Sequence, residues 1–189
     1  MDHQDHVELL RPGVPPQARM ADSTNGEPAI WADFGAGSGA FTLALAELLG
    51  PGAEIYALDK DSRALQALER DWKVRSTGGK PALHTLHRDF TASLDLPPLD
   101  GIVMANALHY LRRKEPFLQG LHALLKPGGR FILVEYNVDR GNLWVPHPIS
   151  YSTWETLAKR CGFLNTRLLA TRPSRFLKEF YSALSFSPG

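Results

Sequence analysis

The sequence predicts an α/β fold: a doubly wound, mostly parallel sheet with helices on both faces and a C-terminal antiparallel hairpin. Short apolar segments alternate with segments of helical periodicity through most of the chain, which is typical of parallel strands joined by helices. The last two apolar segments follow each other almost directly, which predicts the hairpin. A glycine-rich turn, "GAGSG", separates the first apolar segment from the helix after it, so we expect a ligand site there.

The composition is that of one globular domain. The chain has 189 residues, of which 43% are hydrophobic and 22% are charged, enough for a sizeable core. Its net charge of +1 gives no overall attraction to nucleic acid or to an anionic membrane, although it allows a local basic patch. Cys161 is the single cysteine, and we find neither a secretory signal nor an apolar run of about 18 residues. We therefore expect a cytoplasmic protein with no membrane partner.

The first 28 residues differ in composition from the rest of the chain. They are polar and rich in proline and glycine, and we interpret them as an N-terminal arm. Within the arm, "HVELL" is compatible with a short helix that ends before Pro12. Its position alone makes the arm a candidate lid over the active site, and residues 29–189 are expected to form the folded domain.

Seven apolar segments are predicted to be strands. The five expected to be parallel are "AIWADF" (29–34), "AEIYALD" (53–59), "ALHTLHRD" (82–89), "LDGIVMAN" (99–106) and "RFILVEYN" (130–137). The hairpin consists of "LNTRLLATR" (164–172) and "RFLKEFYSALSF" (175–186), with only Pro173 and Ser174 between them.

Four segments between the strands predict helices. They cover residues 38–49, 61–79, about 114–125 and 150–163. The first is closed by "GPG", the second ends at Gly78, and the third is stopped by "KPGG". The second is amphipathic, because apolar residues recur in it at three- and four-residue spacing. Ser150 or Ser152 is a candidate N-cap of the last helix, and Gly162 lies just past its end.

The glycine-rich turn predicts a site for an anionic group. Gly35, Gly37 and Gly39 let a ligand approach the backbone, and the following helix offers free N–H groups and partial positive charge. This favours a pyrophosphate or a carboxylate over a purely structural turn. The turn is not a Walker phosphate loop, because no Gly-Lys-Ser/Thr follows, but it fits the dinucleotide pattern loosely. Asp59 lies about twenty residues on, where an acid can accept both ribose hydroxyls, so a dinucleotide and another nucleoside cofactor both remain open.

Two further acids help to separate these alternatives. Asp33, two residues before Gly35, would repel a pyrophosphate but suits a ligand with an ammonium group, unless it is a solvated strand-end acid. Asp89 ends the third predicted strand and suits an exocyclic amine such as that of adenine, unless it serves a turn or a helix cap.

Five segments occur in an order that is highly specific. They are "ADFGAGSG", "IYALDKD", "LHRDF", "LDGIVMANALHYL" and "LLKPGGRFILVEYN". With them the chain strongly resembles the class I S-adenosylmethionine-dependent methyltransferases, from about Ala29 to the C-terminus. The resemblance implies a seven-stranded sheet whose last strand is antiparallel. It also implies S-adenosylmethionine as the cofactor and S-adenosylhomocysteine as its product.

The resemblance implies a role for each matching position. The methionine part of the cofactor is expected at Asp33, Gly35, Ala36 and Gly37, the ribose at Asp59, the adenine at Asp89 and Phe90, and the sulfonium end at Asn106 and Ala107. One position departs from the family. The residue after the ribose acid is often apolar and packs on adenine, whereas here it is Lys60, whose aliphatic stem can still cover the ring.

Candidate catalytic and substrate residues follow the fourth and fifth predicted strands, because ligands bind beyond the carboxyl ends of parallel strands. His109 is a candidate general base, and the alternative is a histidine that only packs at a helix start. The candidate substrate residues are Tyr110, Tyr136, Asn137 and Trp144. For the residues that end the fifth strand, Glu135 among them, the alternative is a polar cluster without a ligand.

Other polar residues carry weaker signals. His84 and His87 lie three apart on a strand and therefore face opposite sides, so we predict no metal site. Four residues make the terminal hairpin locally basic, which predicts either a solvated face or contact with an acidic partner: Arg167, Arg172, Arg175 and Lys178.

The leading hypothesis is therefore an S-adenosylmethionine-dependent methyltransferase that acts on an oxygen, nitrogen or sulfur of a small molecule by in-line transfer. Little sequence lies beyond the core fold, which argues against a large substrate such as nucleic acid. Methylation of a protein or RNA is an alternative favoured by the basic hairpin. An NAD-dependent oxidoreductase on a similar fold and a non-catalytic cofactor-binding protein are the others.

Overall fold

A computed structural model describes residues 1–16, 28–74 and 79–189. The strands are β1 Ile30–Phe34, β2 Glu54–Asp59, β3 Ala82–His87, β4 Leu99–Ala105, β5 Leu125–Tyr136, β6 Leu164–Pro173 and β7 Glu179–Phe186. The helices are α1 His3–Leu10, α2 Ala40–Leu49, α3 Ser62–Val74, α4 Glu115–Gly120 and α5 Tyr151–Arg160. Two short 3₁₀ helices, Leu108–Tyr110 and Leu121–Ala123, flank α4.

The strands of the described residues form one seven-stranded sheet in the order β3-β2-β1-β4-β5-β7-β6. Strands β1 to β5 pair in parallel, and β7 is antiparallel to both β5 and β6. The predicted fold class, with its parallel sheet and closing antiparallel hairpin, is confirmed. The strand order reverses between β1 and β4, and in open α/β sheets ligands bind beside such a reversal.

An apolar core lies on each face of the sheet. Successive residues of β5 alternate between them: Phe131 and Leu133 face the core under α5, and Ile132 and Val134 face the core under α1 and α2. All four side chains are fully buried, as expected for a central strand that is covered on both faces.

The helix predicted within the N-terminal arm is present as α1. Asp2 caps it, and three apolar side chains of the helix are fully buried against α2 and the sheet: Val7, Leu9 and Leu10. Ion pairs from Arg172 to Asp5 and Glu8 join α1 to β6. The helix therefore packs as part of the domain core. Residues 17–27 of the arm lie outside the described residues, so the lid remains a prediction.

Two predicted boundaries are wrong. The helix expected over 114–125 ends at Gly120 and continues only as the 3₁₀ helix, and "KPGG" lies inside β5 rather than between helix and strand. The reason is that Leu125 already pairs with Leu99, after which the register shifts to Gly101 opposite Arg130. Pairing within the sheet thus places in a strand residues whose local sequence favours the end of a helix.

The hairpin turn is also longer than predicted. Strand β6 ends at Pro173 and β7 begins at Glu179, so residues 174–178 form the turn instead of two residues. The Ser174 amide donates to the carbonyl of Lys178 at 2.8 Å, which closes the turn, and Lys178 has a φ of 43°. Ser150 is confirmed as the N-cap of α5. The predicted end of α3 at Gly78 lies outside the described residues.

Candidate active site

The glycine-rich turn leaves β1 and is held tightly against its neighbours. The amides of Gly35 and Ala36 both donate to the carbonyl of Leu58, at 2.8 and 2.9 Å. Gly35 has a φ of +79°, and a Cβ there would lie 2.6 Å from the Cβ of Ala107, so only glycine fits. Gly37 has a φ of +53°, yet a Cβ there would meet nothing within 4 Å. Packing therefore explains Gly35, whereas Gly37 borders open space that a ligand can occupy.

Asp33 lies buried directly below this turn. Its side chain is only 1% exposed, which excludes the solvated strand-end acid. The hydroxyl of Thr42 donates to Oδ2 at 2.6 Å. Burial, aided by the charge of Asp59, raises the pKa of Asp33 to about 7 despite that hydrogen bond. A cationic group nearby would favour the ionised form.

Asp59 ends β2 and is tied to the turn. Its Oδ2 accepts the amide of Gly37 at 2.7 Å, and its Oδ1 accepts the amide of Asp61 at 2.8 Å. A carboxylate has about four lone-pair directions, so each oxygen keeps one for a further donor. The two backbone bonds fix the carboxylate where two adjacent hydroxyl groups could bind.

Asp89 and Phe90 follow β3 at the same edge. Asp89 is exposed and its Oδ1 accepts both the amide and the hydroxyl of Thr91, bonds that lower its pKa. Oδ1 of Asp89 therefore stabilises a local turn, as in the structural alternative, while Oδ2 makes no hydrogen bond within the described residues. Phe90 lies next to the glycine turn and stacks on Phe34 with ring centroids 6.4 Å apart. Lys60 is exposed beyond Asp59.

Asn106 follows β4 in a left-handed conformation with a φ of 53°. Its amide donates to the carbonyl of Val134 at 2.9 Å. Its side-chain Oδ1 is buried and has no hydrogen-bond partner among the described residues. A buried oxygen without a partner is uncommon in proteins, and here it fits a donor supplied by a ligand.

His109 and Glu135 form a buried pair beside Asn106. Their exposed fractions are 2% and 0%. Glu135 accepts the backbone amide of His109 at 3.0 Å, and its two oxygens lie 3.1 and 3.0 Å from Nδ1. A carboxylate oxygen only accepts, so this geometry suits the neutral ring tautomer in which Nδ1 donates and Nε2 is the acceptor nitrogen. A histidine oriented by a carboxylate in this way is the arrangement of a general base.

The candidate substrate residues divide into two groups. The ring of Tyr110 lies 4.3 Å from that of His109, and the ring of Tyr136 lies 6.4 Å from it. Burial, followed by the charge of Glu135, raises the pKa of Tyr136. Trp144 is 71% exposed on the loop after β5.

Asn137 instead uses both polar groups inside the protein. Its Nδ2 donates to Glu179 at 2.7 Å, and its Oδ1 accepts the amide of Tyr151 at 3.0 Å. Asn137 thereby joins β5, β7 and the start of α5, as in the polar-cluster alternative.

The sequence reasoning missed Lys114. It stands in the run "RRK", which looks like an exposed basic segment, yet it is only 7% exposed. Its ammonium donates to the carbonyls of Leu111 at 2.7 Å and His147 at 2.8 Å, and burial lowers its pKa. The amide of His147 donates to the carbonyl of His109 at 3.0 Å. Lys114 thus fixes the loop after β5 against the 3₁₀ helix that carries His109.

The remaining polar candidates have local partners. His84 pairs with Glu54 at 3.1 Å, and His87 contacts the carbonyl of Lys60. Arg172 is paired with α1, and Arg167 lies over the ring of Phe186. Residues 1–16, 28–74 and 79–189 hold no group of three or more metal-ligating side chains close enough to share an ion. None of the helices in these ranges is long and apolar enough to cross a bilayer.

Known proteins resemble this chain in sequence and in fold. A family model described as a methyltransferase domain matches residues 32–131, more than half of the chain. No curated protein matches the sequence. The N-methyltransferase NodS from Bradyrhizobium japonicum superposes with a TM-score of 0.71 at 18% identity, covering 98% of this chain and 96% of NodS.

Two further solved structures are about twice as long as this chain. The CurJ carbon methyltransferase has a TM-score of 0.72 at 18% identity, covering 90% of this chain and 51% of CurJ. A Haemonchus contortus phosphoethanolamine N-methyltransferase, solved with phosphomonomethylethanolamine and S-adenosylhomocysteine, has a TM-score of 0.74 at 14% identity. The matched region covers 98% of this chain and 53% of that enzyme. This chain therefore spans about half the length of both proteins.

The residues at this edge fit S-adenosylmethionine. Gly37 borders open space and donates to Asp59, and Asp33 precedes the same turn, so the turn carries acids of the kind that suit an ammonium group and two ribose hydroxyls. The unpartnered oxygen of Asn106 and the ring of Phe90 flank the same turn. Three findings agree on the family. They are the family model over more than half of the sequence, the seven-stranded fold shared with solved methyltransferases and this arrangement of residues. The chain is a class I S-adenosylmethionine-dependent methyltransferase.

Proposed function

We propose that the enzyme methylates a small-molecule acceptor that must lose a proton during the reaction, and that His109 removes this proton. The observation that carries the proposal is the buried pair of His109 and Glu135 at the edge that holds the glycine-rich turn. S-adenosylmethionine supplies an electrophilic methyl group on a sulfonium. The chain's own residues orient the acceptor and take up its proton.

The roles of the individual residues follow from their contacts. Glu135 holds the ring of His109 by accepting from Nδ1, so that Nε2 is the nitrogen available to a substrate. A negative charge on Glu135 also stabilises the imidazolium that forms when Nε2 takes a proton. Lys114 holds the loop that packs on His109. Tyr110 and Tyr136 flank the histidine ring and are proposed to contact the acceptor.

We propose the cofactor contacts at the positions that match the family. The methionine part would lie against Asp33, Gly35, Ala36 and Gly37, the ribose against Asp59, the adenine against Lys60, Asp89 and Phe90, and the sulfonium end against Asn106 and Ala107. The positions of the glycine turn and of the three acids around one edge support this assignment.

The acceptor atom is proposed to be oxygen, nitrogen or sulfur. An acidic carbon is a second candidate, because a buried base serves an acceptor that has no lone pair until it loses a proton. CurJ, one of the similar structures, is described as a carbon methyltransferase, which supports including carbon acids among the tested acceptors.

A screen with methyl-labelled S-adenosylmethionine tests the proposal. Phenols, amines, thiols and β-keto esters would be offered to the wild type, to His109→Gln and to Glu135→Gln. We expect kcat to fall about 10²- to 10⁴-fold for His109→Gln, with cofactor affinity from calorimetry unchanged. Glu135→Gln should lower kcat by a smaller factor, because the amide oxygen of glutamine can still accept a hydrogen bond from Nδ1.

His84→Gln is the matched control, since this half-exposed histidine lies on β3 away from the pair. It should keep full activity. Unchanged kcat in His109→Gln on the best acceptor would remove the histidine from the mechanism, while leaving the methyltransferase family assignment intact.

A further inference from the structure

Three loops at the active-site edge carry exposed apolar side chains. The 3₁₀ helix after β4 presents Tyr110, the loop after β5 presents Leu143 and Trp144, and the β6–β7 turn presents Phe176. Their exposed fractions are 60%, 88%, 71% and 52%. These four are half of the eight large apolar side chains that are exposed in the described residues. The surface that they form with the basic residues of the same loops is here called the edge surface. Such clustering marks an interaction site, whereas scattered single residues would need no explanation.

The same three loops carry basic residues next to these side chains. All are exposed: Arg112, Arg113, Arg140, Arg175 and Lys178. None of them lies within ion-pair distance of a carboxylate in residues 1–16, 28–74 or 79–189. The two nearest acids in sequence, Asp139 and Glu179, bind the neutral residues Ser150 and Asn137 and keep their charge, but the five cations outnumber them. The edge surface is therefore locally positive although the whole chain has a net charge of only +1.

We propose that the edge surface docks on an anionic lipid bilayer, with Leu143, Trp144 and Phe176 entering the headgroup region and the five cations binding lipid phosphates and carboxylates. This inference does not depend on the proposed function. It differs from the expectation of no membrane partner, because that expectation used the charge averaged over the chain and the lack of a spanning segment. Surface binding needs neither a high net charge nor a spanning helix.

The shape and chemistry of the edge surface favour a bilayer over a protein. The most exposed side chains project from loop tips, and Leu143 is 88% exposed, whereas protein partners are usually anchored in packed pockets. Tryptophan and tyrosine are preferred at membrane interfaces, because one end of each ring is apolar and the other polar. Each basic residue near a negatively charged leaflet contributes attraction that salt screens.

The test is co-sedimentation of the whole chain with vesicles of phosphatidylcholine alone and of phosphatidylcholine with phosphatidylserine. We expect sedimentation with the second kind and its loss at high salt. Trp144 provides an internal reporter, since Trp31 and Trp154 are fully buried and Trp72 is half-buried. Its emission should shift to shorter wavelength when vesicles bind.

Matched variants separate this surface from others. Arg140→Ala should lower the vesicle partition coefficient about fivefold, and Leu143→Asp should abolish the emission shift. Lys159→Ala and Leu164→Asp are the controls, because they change an exposed cation and a 49% exposed leucine away from the three loops. Both should bind as the wild type does.

Two results would overturn the proposal. One is the absence of sedimentation with phosphatidylserine vesicles at low salt. The other is equal loss of binding in the control variants, which would show attraction that is not confined to the edge surface. If vesicle binding is absent, binding of soluble polyglutamate would identify an acidic protein surface as the partner instead.

Discussion

Asp33 shows most directly how the tertiary structure changes the chemistry of a single residue. Its place before the glycine turn marks it as a ligand candidate, but its burial and its bond to Thr42 come from the packing of α2 on β1. Burial raises its pKa to about 7, so the group changes charge near neutral pH. An ammonium group bound beside it would favour the carboxylate.

The stability of the cofactor-free protein should therefore depend on the charge of Asp33. Its folded-state pKa of about 7 lies above the ordinary value of 3.8, so the folded chain holds more protons between these two values. The free energy of unfolding then decreases as the pH rises from about 4 to about 7, by at most about 4 kcal/mol from this group. Asp33→Asn lacks this contribution, and urea unfolding at about pH 5 and about pH 8 measures the difference. A wild-type-minus-variant difference that is equal at both pH values would contradict the buried carboxyl.

Asp59 gives a prediction about cofactor binding. Asp59→Ala removes a charged acceptor for two hydroxyls and should weaken S-adenosylmethionine binding by about 1–3 kcal/mol in calorimetry. Asp61→Ala is the control, because the side chain of Asp61 accepts the amides of Arg63 and Ala64 at the start of α3, while its backbone amide, which binds Asp59, is kept in the variant. Unchanged affinity in Asp59→Ala would mean that the ribose assignment is wrong.

The sequence located the candidate residues of this site better than it described their surroundings. Gly35, Asp59 and His109 are recognisable by their type and by their place after strands. The bidentate contact of Glu135 with His109 joins residues 26 positions apart and depends on β4 and β5 being neighbours. Lys114 gave no local signal, since its burial depends on two carbonyls that folding brings around it.

At the scale of elements, α1 is the part that the sequence described least fully. Its five-residue core "HVELL" predicted a helix in an arm, whereas the structure buries one side of that helix completely against α2 and the sheet. Composition suggests an arm because the segment that follows is rich in proline and glycine. The helix nevertheless has an apolar face that packs against α2, β6 and β7.

A substitution in α1 tests whether this packing matters. Leu9 is fully buried, so Leu9→Ala should lower the free energy of unfolding by about 2–5 kcal/mol, through lost transfer energy and the cavity left behind. Leu168→Ala is the comparison, because this leucine of β6 is 44% exposed. It should lower the free energy of unfolding far less. Equal effects in denaturant titrations would show that α1 is not part of the cooperative core.

The boundaries predicted for the elements failed where long-range pairing overrides local preference. "KPGG" favours a stop, yet the pairing of Leu125 with Leu99 extends β5 through it with a change of register. The turn after Pro173 is long because a backbone hydrogen bond between Ser174 and Lys178 closes it. The dipeptide Pro173-Ser174, from which the two-residue turn was predicted, does not reveal this bond.

At the scale of the whole molecule, the two nucleotide cofactors that the glycine turn first allowed can be separated by stability. S-adenosylmethionine binds only the folded chain, so at a hundred times its Kd it should add about 2.7 kcal/mol to the free energy of unfolding and raise Tm. NAD should leave Tm unchanged, since the acid Asp33, two residues before Gly35, would repel a pyrophosphate at the glycine turn. Stabilisation by NAD and not by S-adenosylmethionine would contradict the cofactor assignment.

The amino-acid sequence alone was enough to predict the fold class and the positions of the glycine turn and its acids, because these depend on periodicity and on residue types at fixed spacing. Folding alone establishes the burial of Asp33, the pairing of His109 with Glu135 and the clustering of Tyr110, Leu143, Trp144 and Phe176 at one edge. These features arise from segments far apart in the chain. Their contacts, burial and local charge exist only once the parallel strands align their carboxyl ends.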